Sequence, residues 1–391
     1  MSDYLNKAKA MQDELSWIRR EIHKKPEVGM DLPITTAFVM EQLEKHGIKA
    51  ERIIDSGISV LIEGGKPGKT ILLRGDMDAL PLAEESGEEF ASEFEGKSHG
   101  CGHDMHATSL IGTAILLNEN REQLHGRVKL MWQPGEEIFE GMKAMIAAGI
   151  MENPAPDAAL DLHVDASSPV GVLNYSKGPF TTSADNYLIK IKGSGCHGSM
   201  PENSIDPLNV AIQIYNAIAS MRFREIKGSE FLAMSICSIS SGNSFNIIPD
   251  SVEMRGTMRT YNPAIRDYVV ERIEKITKEV ASLYRAEGSL EIASSAPTIA
   301  NDPEMVDKVI GYLEDFGMDF ERDPNYRLSA SDDFGYVART IPSVMFFIGC
   351  KPEGLERNLL HNPKVVFDER ALPIASAVMA HVATKWLEEH A

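Results

Sequence analysis

The sequence has no long hydrophobic run. Its apolar stretches, such as Ser343-Val-Met-Phe-Phe-Ile-Gly349, fall well short of the ~20 residues that a membrane span needs. Cysteine is scarce: Cys101, Cys196, Cys237 and Cys350 are widely spaced and form no disulfide framework. Reduced thiols are expected, three of the four simply buried. Basic charge is in deficit, with 39 Lys and Arg against 58 Asp and Glu, a net −19. A polyanionic partner needs a basic footprint, so nucleic acid is excluded as a partner, and so is an anionic membrane surface. The opening Met-Ser-Asp-Tyr-Leu-Asn-Lys lacks a basic segment followed by an apolar one, so no secretory leader is read and a cytoplasmic protein is expected. Internal repeats and low-complexity segments are also missing.

What is present is an ordinary globular composition, 43% hydrophobic and 25% charged over 391 residues. That length suggests about two domains. Residues 11–24 and 34–46 read as amphipathic helices, and 70–74, 127–132 and 158–162 as buried strands. Further helices are expected over 105–118 and 140–149. Strands alternating with helices predict an α/β domain with a mostly parallel sheet. After Gly178-Pro179 the pattern changes. Strand 186–192, helix 206–221, strands 230–240 and 251–260, helix 263–285 and strand 289–293 spell β-α-β-β-α-β, the ferredoxin-like α+β unit. Strand 343–348 and a helix from about 370 to 389 then return to the first pattern. The predicted organisation is a catalytic domain of residues 1–180 and 295–391, with a second domain inserted at 181–294.

Two phosphate-binding motifs are decoys. Gly193-Ser-Gly-Cys-His-Gly198 fits G-x-G-x-x-G, but no helix opens at once and no acid falls near 218. Gly64-Gly-Lys-Pro-Gly-Lys-Thr70 is one residue short of a phosphate loop and precedes a strand, not a helix. It reads as a turn between strands.

The chemistry lies in four polar segments that follow apolar strands or lead into a helix. They are Arg74-Gly-Asp-Met-Asp-Ala-Leu-Pro81, Ser98-His-Gly-Cys-Gly-His-Asp-Met-His106, Trp132-Gln-Pro-Gly-Glu-Glu137 and Leu162-His163, the last read as ending its strand. Ligands of open α/β sheets bind beyond the carboxyl ends of the strands, so these tips should converge. Cys101 and His103 can grip one ion or an ion pair from a single loop, and Glu137 and His163 add a carboxylate and an imidazole. Such mixed donors suit a borderline divalent ion, Zn²⁺ most readily and then Mn²⁺, Co²⁺ or Ni²⁺. The pair Glu136-Glu137 suggests a division of labour, one carboxylate holding metal and the other moving a proton.

With these segments quoted, the chain resembles the M20 metallopeptidase family, specifically its amidohydrolase branch of hippurate, N-acyl-amino-acid and auxin-conjugate hydrolases. The likeness runs from Arg20-Glu-Ile-His-Lys-Lys-Pro-Glu27 through the segments above to Asn246-Ile-Ile-Pro249, Ser331-Asp-Asp-Phe334 and His361-Asn-Pro363. The resemblance implies a zinc-peptidase-like catalytic domain and an inserted lid or dimerisation domain. It implies two divalent metal ions on Cys101, His103, Glu137, His163 and His361, with Cys101 bridging. Glu136 would be general base and acid, and Asp78 a carboxylate that orients a ligand. Asp76 stands where other branches carry a metal-binding His, and is not expected to be a ligand. His197 would stabilise the oxyanion, while Asn246 and Arg259 would contact the substrate, Arg259 at its carboxylate. The implied reaction is hydrolysis of a small-molecule N-acyl amino acid by a homodimer or higher homo-oligomer. A dipeptidase, a carboxypeptidase or an N-acetyl-diaminopimelate deacetylase on the same scaffold is the alternative.

Overall fold

The computed structural model describes residues 3–391. The chain separates into two compact units. One holds the chain up to Phe180 with Ile299–Arg327 and Asp333–Ala391, and the other holds Thr181–Thr298 with Leu328–Asp332. The stretch 328–332 therefore belongs with the smaller unit, although a simple division at 295 assigns it to the larger. Its backbone is tied there, since Thr182 N–H donates to the Ala330 carbonyl at 3.0 Å.

The first unit begins with helices α1 (Tyr4–Ala10), α2 (Gln12–His23) and α3 (Pro33–Lys45). Strands β1 (Ala50–Ile54), β2 (Gly57–Glu63) and β3 (Lys66–Asp76) follow, then helix α4 (His103–Glu119), strand β4 (His125–Gln133) and helix α5 (Gly141–Ala147). Strands β5 (Ala158–Pro169), β6 (Val172–Asn174) and β7 (Gly178–Pro179) lead to the second unit. That unit contains β8 (Ala184–Lys192), β9 (Cys196–His197), α6 (Pro207–Glu225), β10 (Leu232–Ser240), β11 (Ile247–Ile248), β12 (Ser251–Thr260), α7 (Pro263–Leu283) and β13 (Glu287–Ala296). The first unit is completed by β14 (Ala300–Asn301), α8 (Pro303–Tyr312), β15 (Glu321–Asp323), α9 (Gly335–Ala338), β16 (Ser343–Lys351) and α10 (Ala371–Glu389).

The large sheet has the order β1-β2-β4-β3-β5-β16-β6-β15. Its centre is parallel: β3 pairs in parallel with β4 and β5, and β5 with β16. The pairs β1–β2, β2–β4 and β6–β16 are antiparallel. From Ala158 to Ala166 every residue of β5 is buried, as in a strand covered on both faces. The sequence reading ended this strand at His163. It continues because β16 runs beside it, with Phe347 opposite His163 and Ile348 opposite Val164.

Helix α4 is buried without interruption from His103 to Leu117. It packs against α2, α10 and β3, and has no polar face to give to solvent. In the second unit, β10-β12-β8-β13 form an antiparallel sheet whose order is that of the ferredoxin-like unit. Strand β12 alternates buried and outward residues, as a strand with one covered face should. Helices α6, α7 and α8 all open with Asp or Asn followed by Pro: the side chains of Asp206, Asn262 and Asp302 accept backbone N–H groups of the first turn. Each such cap contributes about 1 kcal/mol.

Candidate active site

The residues that carry chemistry in the first unit come from the tip of β3, the turn after β4, the middle of β5, the start of α4 and the loop after β16. Gly102 makes the spacing of Cys101 and His103 possible. It sits at φ +85°, and a Cβ there would lie 2.5 Å from Val164 Cγ2, so both backbone conformation and space demand glycine. At the far side His361, also left-handed at φ 58°, is fixed by its own N–H donating to the Gly100 carbonyl at 2.8 Å. Two distant loops are thereby locked together at Cys101.

The donor atoms of Cys101, His103 and His163 lie within 4.8 Å of one another, and so do those of Cys101, Glu137 and His361. The two triads share the Cys101 sulfur, which lies 3.2 Å from His361 Nε2 and 3.7 Å from His163 Nε2. Each buried imidazole has its other nitrogen occupied. His103 Nδ1 donates to the Asp78 carbonyl at 2.8 Å, and His163 Nδ1 donates to the Val164 carbonyl at 2.7 Å. Their Nε2 atoms are therefore the ones turned toward the thiol. His103 Nε2 is buried and makes no hydrogen bond, and the buried Glu137 Oε1 has only a long contact of 3.4 Å to His361 Nε2. Buried polar atoms without partners are costly, and a cation between them removes the cost. The donor set thus fits a pair of divalent ions.

The proton affinities fit as well. Burial, then the His106 imidazole, holds His163 well below the usual histidine range, so it is a neutral donor. Burial and Glu137 push the Cys101 thiol up. His361 is pushed up to about 10 by the hydrogen bonds it donates to Cys101 and Glu137. A divalent cation competes for the same lone pairs and displaces these protons.

Glu136 stands beside the triads without belonging to either; its carboxylate lies within 4.8 Å of donor atoms of His103 and Glu137. The turn that presents the two glutamates is held by Asp78, which accepts Glu136 N–H at 3.0 Å and Glu137 N–H at 3.1 Å. The main hydrogen bond orienting His103 comes from the Asp78 carbonyl, while the carboxylate serves the glutamate turn and reaches His103 Nδ1 only at 3.5 Å.

Several residues here were quoted in the motifs without a role. Arg74 is buried and pairs with Asp76 at 2.8 Å, Asp161 at 3.0 Å and Asp333 at 3.2 Å. Gln133 links the same cluster, donating to Asp333 at 2.7 Å. Asp333 comes from the Ser331-Asp-Asp-Phe334 segment. Its distance of 259 residues from Arg74 is why spacing alone could not join them. Asp76 also binds His106 Nδ1 at 2.6 Å, so its oxygens are already engaged.

The remaining three predicted residues lie in the second unit. His197, in β9, faces Ile247 of β11 across a short ribbon, with Nδ1 2.8 Å from Ser199 Oγ. Asn246 closes that ribbon, its carbonyl accepting Gly198 N–H at 2.8 Å. Arg259, on β12, is half-buried and donates to Thr257 Oγ1 at 2.8 Å and the Met258 carbonyl at 3.1 Å.

A cysteine shared by two donor triads, with a further carboxylate alongside, at the strand tips of an α/β sheet, defines a metallohydrolase. The chain belongs to peptidase family M20/M25/M40, whose profile matches residues 72–385. It is 35% identical to thermostable carboxypeptidase 2 of Saccharolobus solfataricus, over 97% of both chains. It is 33% identical to N-acetylcysteine deacetylase of Bacillus subtilis, over 97% of this chain and 98% of that one. The fold superposes on the crystal structure of Bacillus subtilis YxeP, described as a dinuclear metal-binding peptidase of family M20. The TM-score is 0.83 at 31% identity, covering 97% of this chain and 99% of that one. Among the described residues no helix is long and apolar enough to cross a membrane.

Proposed function

We propose that the protein is a cytoplasmic, two-metal amidohydrolase that cleaves the amide bond of N-acyl amino acids, giving a carboxylate and the free amino acid. The observation that carries this reading is the sulfur common to two triads beside Glu136, which joins neither. Both relatives bear names for reactions at an amide whose nitrogen belongs to an amino acid, a C-terminal residue in one and N-acetylcysteine in the other.

Cys101, His103, Glu137, His163 and His361 would hold the divalent ions, which when bound supply Lewis acidity to the scissile carbonyl and acidify a water. Glu136 takes a proton from the attacking water and returns it to the leaving nitrogen. Asp78 keeps Glu136 in place by gripping its backbone. His197 donates to the oxyanion as the carbonyl becomes tetrahedral. Arg259 pairs its planar guanidinium with the substrate carboxylate, and Asn246 contacts the substrate beside it. A homodimer is the proposed assembly.

The test is hydrolysis by metal-reconstituted protein of N-acetyl and N-benzoyl amino acids, acetyl-diaminopimelate and dipeptides with a free amino terminus. Preference for acyl amino acids supports the proposal. Preference for dipeptides would replace it with the peptidase reading, and inactivity on every amide would remove it.

A further inference from the structure

Past Asp161, strand β5 loses its neighbour on one side. The β3–β5 ladder ends at Arg74 opposite Asp161, yet β5 continues as buried strand through His163 to Ala166. A buried Val164 N–H on an unpaired stretch would cost about 1–3 kcal/mol. It is met by a side chain: Val164 N–H donates to His106 Nε2 at 2.9 Å. For Nε2 to accept, the His106 proton must be on Nδ1, where Asp76 Oδ1 receives it at 2.6 Å. Asp76 is itself held by Arg74 at 2.8 Å.

The same residue also faces His163. Its carbonyl accepts His163 Nδ1–H at 2.7 Å, the bond that turns His163 Nε2 toward Cys101. The His106 ring also packs edge-on against the His163 ring, with centroids 4.3 Å apart and planes at 69°. His106 is 3% exposed and Asp76 is fully buried.

We propose that Asp76 and His106 are a positioning pair for the metal centre: His106 binds no ion, but fixes the Val164 backbone and the His163 ring so that His163 Nε2 meets the shared sulfur. Both His106 nitrogens are committed to protein atoms, which leaves no lone pair for a metal. The inference rests on the metal-binding reading of the Cys101 cluster. It explains why an acid stands at position 76: Oδ1 accepts from His106 at 2.6 Å, while Oδ2 faces Arg74 at 2.8 Å and His103 Nε2 at 3.7 Å. The carboxylate sets a tautomer, which an amide could not enforce.

The test is Co²⁺ titration of wild-type protein, His106→Leu and Asp76→Asn, following bound-metal stoichiometry, affinity and the cobalt d–d spectrum. Urea unfolding of each protein without added metal reports the fold separately. The expected result is two ions at saturation in every variant, with one of them bound 10–100-fold more weakly and with altered d–d bands. Folded variants with wild-type affinity and spectrum would overturn the proposal, as would saturation of His106→Leu at one ion, which would make His106 a ligand. If His106→Leu does not fold, Asp76→Asn decides by the same criteria. Failure of the wild-type protein to bind cobalt at all would instead remove the metal reading, and this proposal with it.

Discussion

The Asp78 carboxylate holds Glu136 by its backbone, not by its carboxyl group: Asp78 Oδ1 accepts the Glu136 N–H at 3.0 Å, and Oδ2 accepts the next N–H, of Glu137, at 3.1 Å. One buried carboxylate therefore sets the position of both glutamates. Asp78→Asn keeps the shape but offers a single accepting oxygen. One N–H is left buried and unmet, a loss of about 1–3 kcal/mol. Turnover should fall together with metal affinity, because Glu136 and Glu137 move as one turn. Parallel measurement of kcat and bound metal checks this; loss of kcat with full metal affinity would separate the two glutamates.

Glu136→Gln should behave differently. The glutamine cannot cycle a proton, so kcat should drop by about 10²–10⁴-fold while bound metal stays near wild type. Metal content by atomic emission beside single-turnover rates gives the answer. Loss of metal with Glu136→Gln, and its retention with Glu137→Gln, would show that the two roles are exchanged.

Metal uptake should release protons. The His361 proton, held up to about 10 by Cys101 and Glu137, has to leave before its nitrogen can bind an ion. Affinity should therefore rise with pH, ~tenfold per pH unit for each proton displaced, until His361 is neutral in the apoprotein. Calorimetry in buffers of differing ionisation enthalpy counts these protons. His361→Gln should remove at least one of them, and an unchanged count would contradict the assignment.

A second ionic cluster lies in the same unit. His23 Nδ1 is 2.8 Å from Asp104 and its Nε2 is 3.0 Å from Glu84, while Arg19 Nε donates to Asp104 at 2.6 Å. Burial and Arg19 oppose a charge on His23, but Asp104 and Glu84 outweigh them and its pKa is raised. The sign follows. A raised pKa stabilises the fold fully below the unfolded value near 6.5, and the stabilisation fades as pH climbs through the folded value. His23→Gln should cost about 3–5 kcal/mol in mildly acidic buffer, the scale of breaking a buried pair. Urea unfolding across pH should show the gap from wild type narrowing on the alkaline side. A gap that widens there would mean His23 is buried neutral.

The sequence made the centre of the large sheet, β4-β3-β5-β16, legible because its buried strands are apolar runs that stop abruptly at polar residues. Asp76, Glu136 and Glu137 are visible on that ground alone. The ferredoxin-like unit was legible from element order, even though β13 is longer than its apolar stretch. His361 was not legible from the residues alone. It sits in an irregular loop, and only a left-handed turn and one bond to the Gly100 carbonyl bring it to Cys101. Arg74 and Asp333 escaped for a similar reason: an ion pair spanning 259 positions leaves no local pattern. The continuation of β5 beyond His163 depends on β16 and on the His106 side chain, neither of which announces itself in the strand's own residues.

The sulfur common to both triads also sets the conditions in which such a centre can last. A peroxide that reaches Cys101 and converts it to the sulfenic acid would remove a donor from both of the proposed metal positions in one chemical event. A bridging carboxylate would be indifferent to the same oxidant. At 8% exposure Cys101 is sheltered, which slows the encounter but does not alter its result. Were two ions held by this one soft atom, as proposed, oxidants would have a direct way to silence the catalyst.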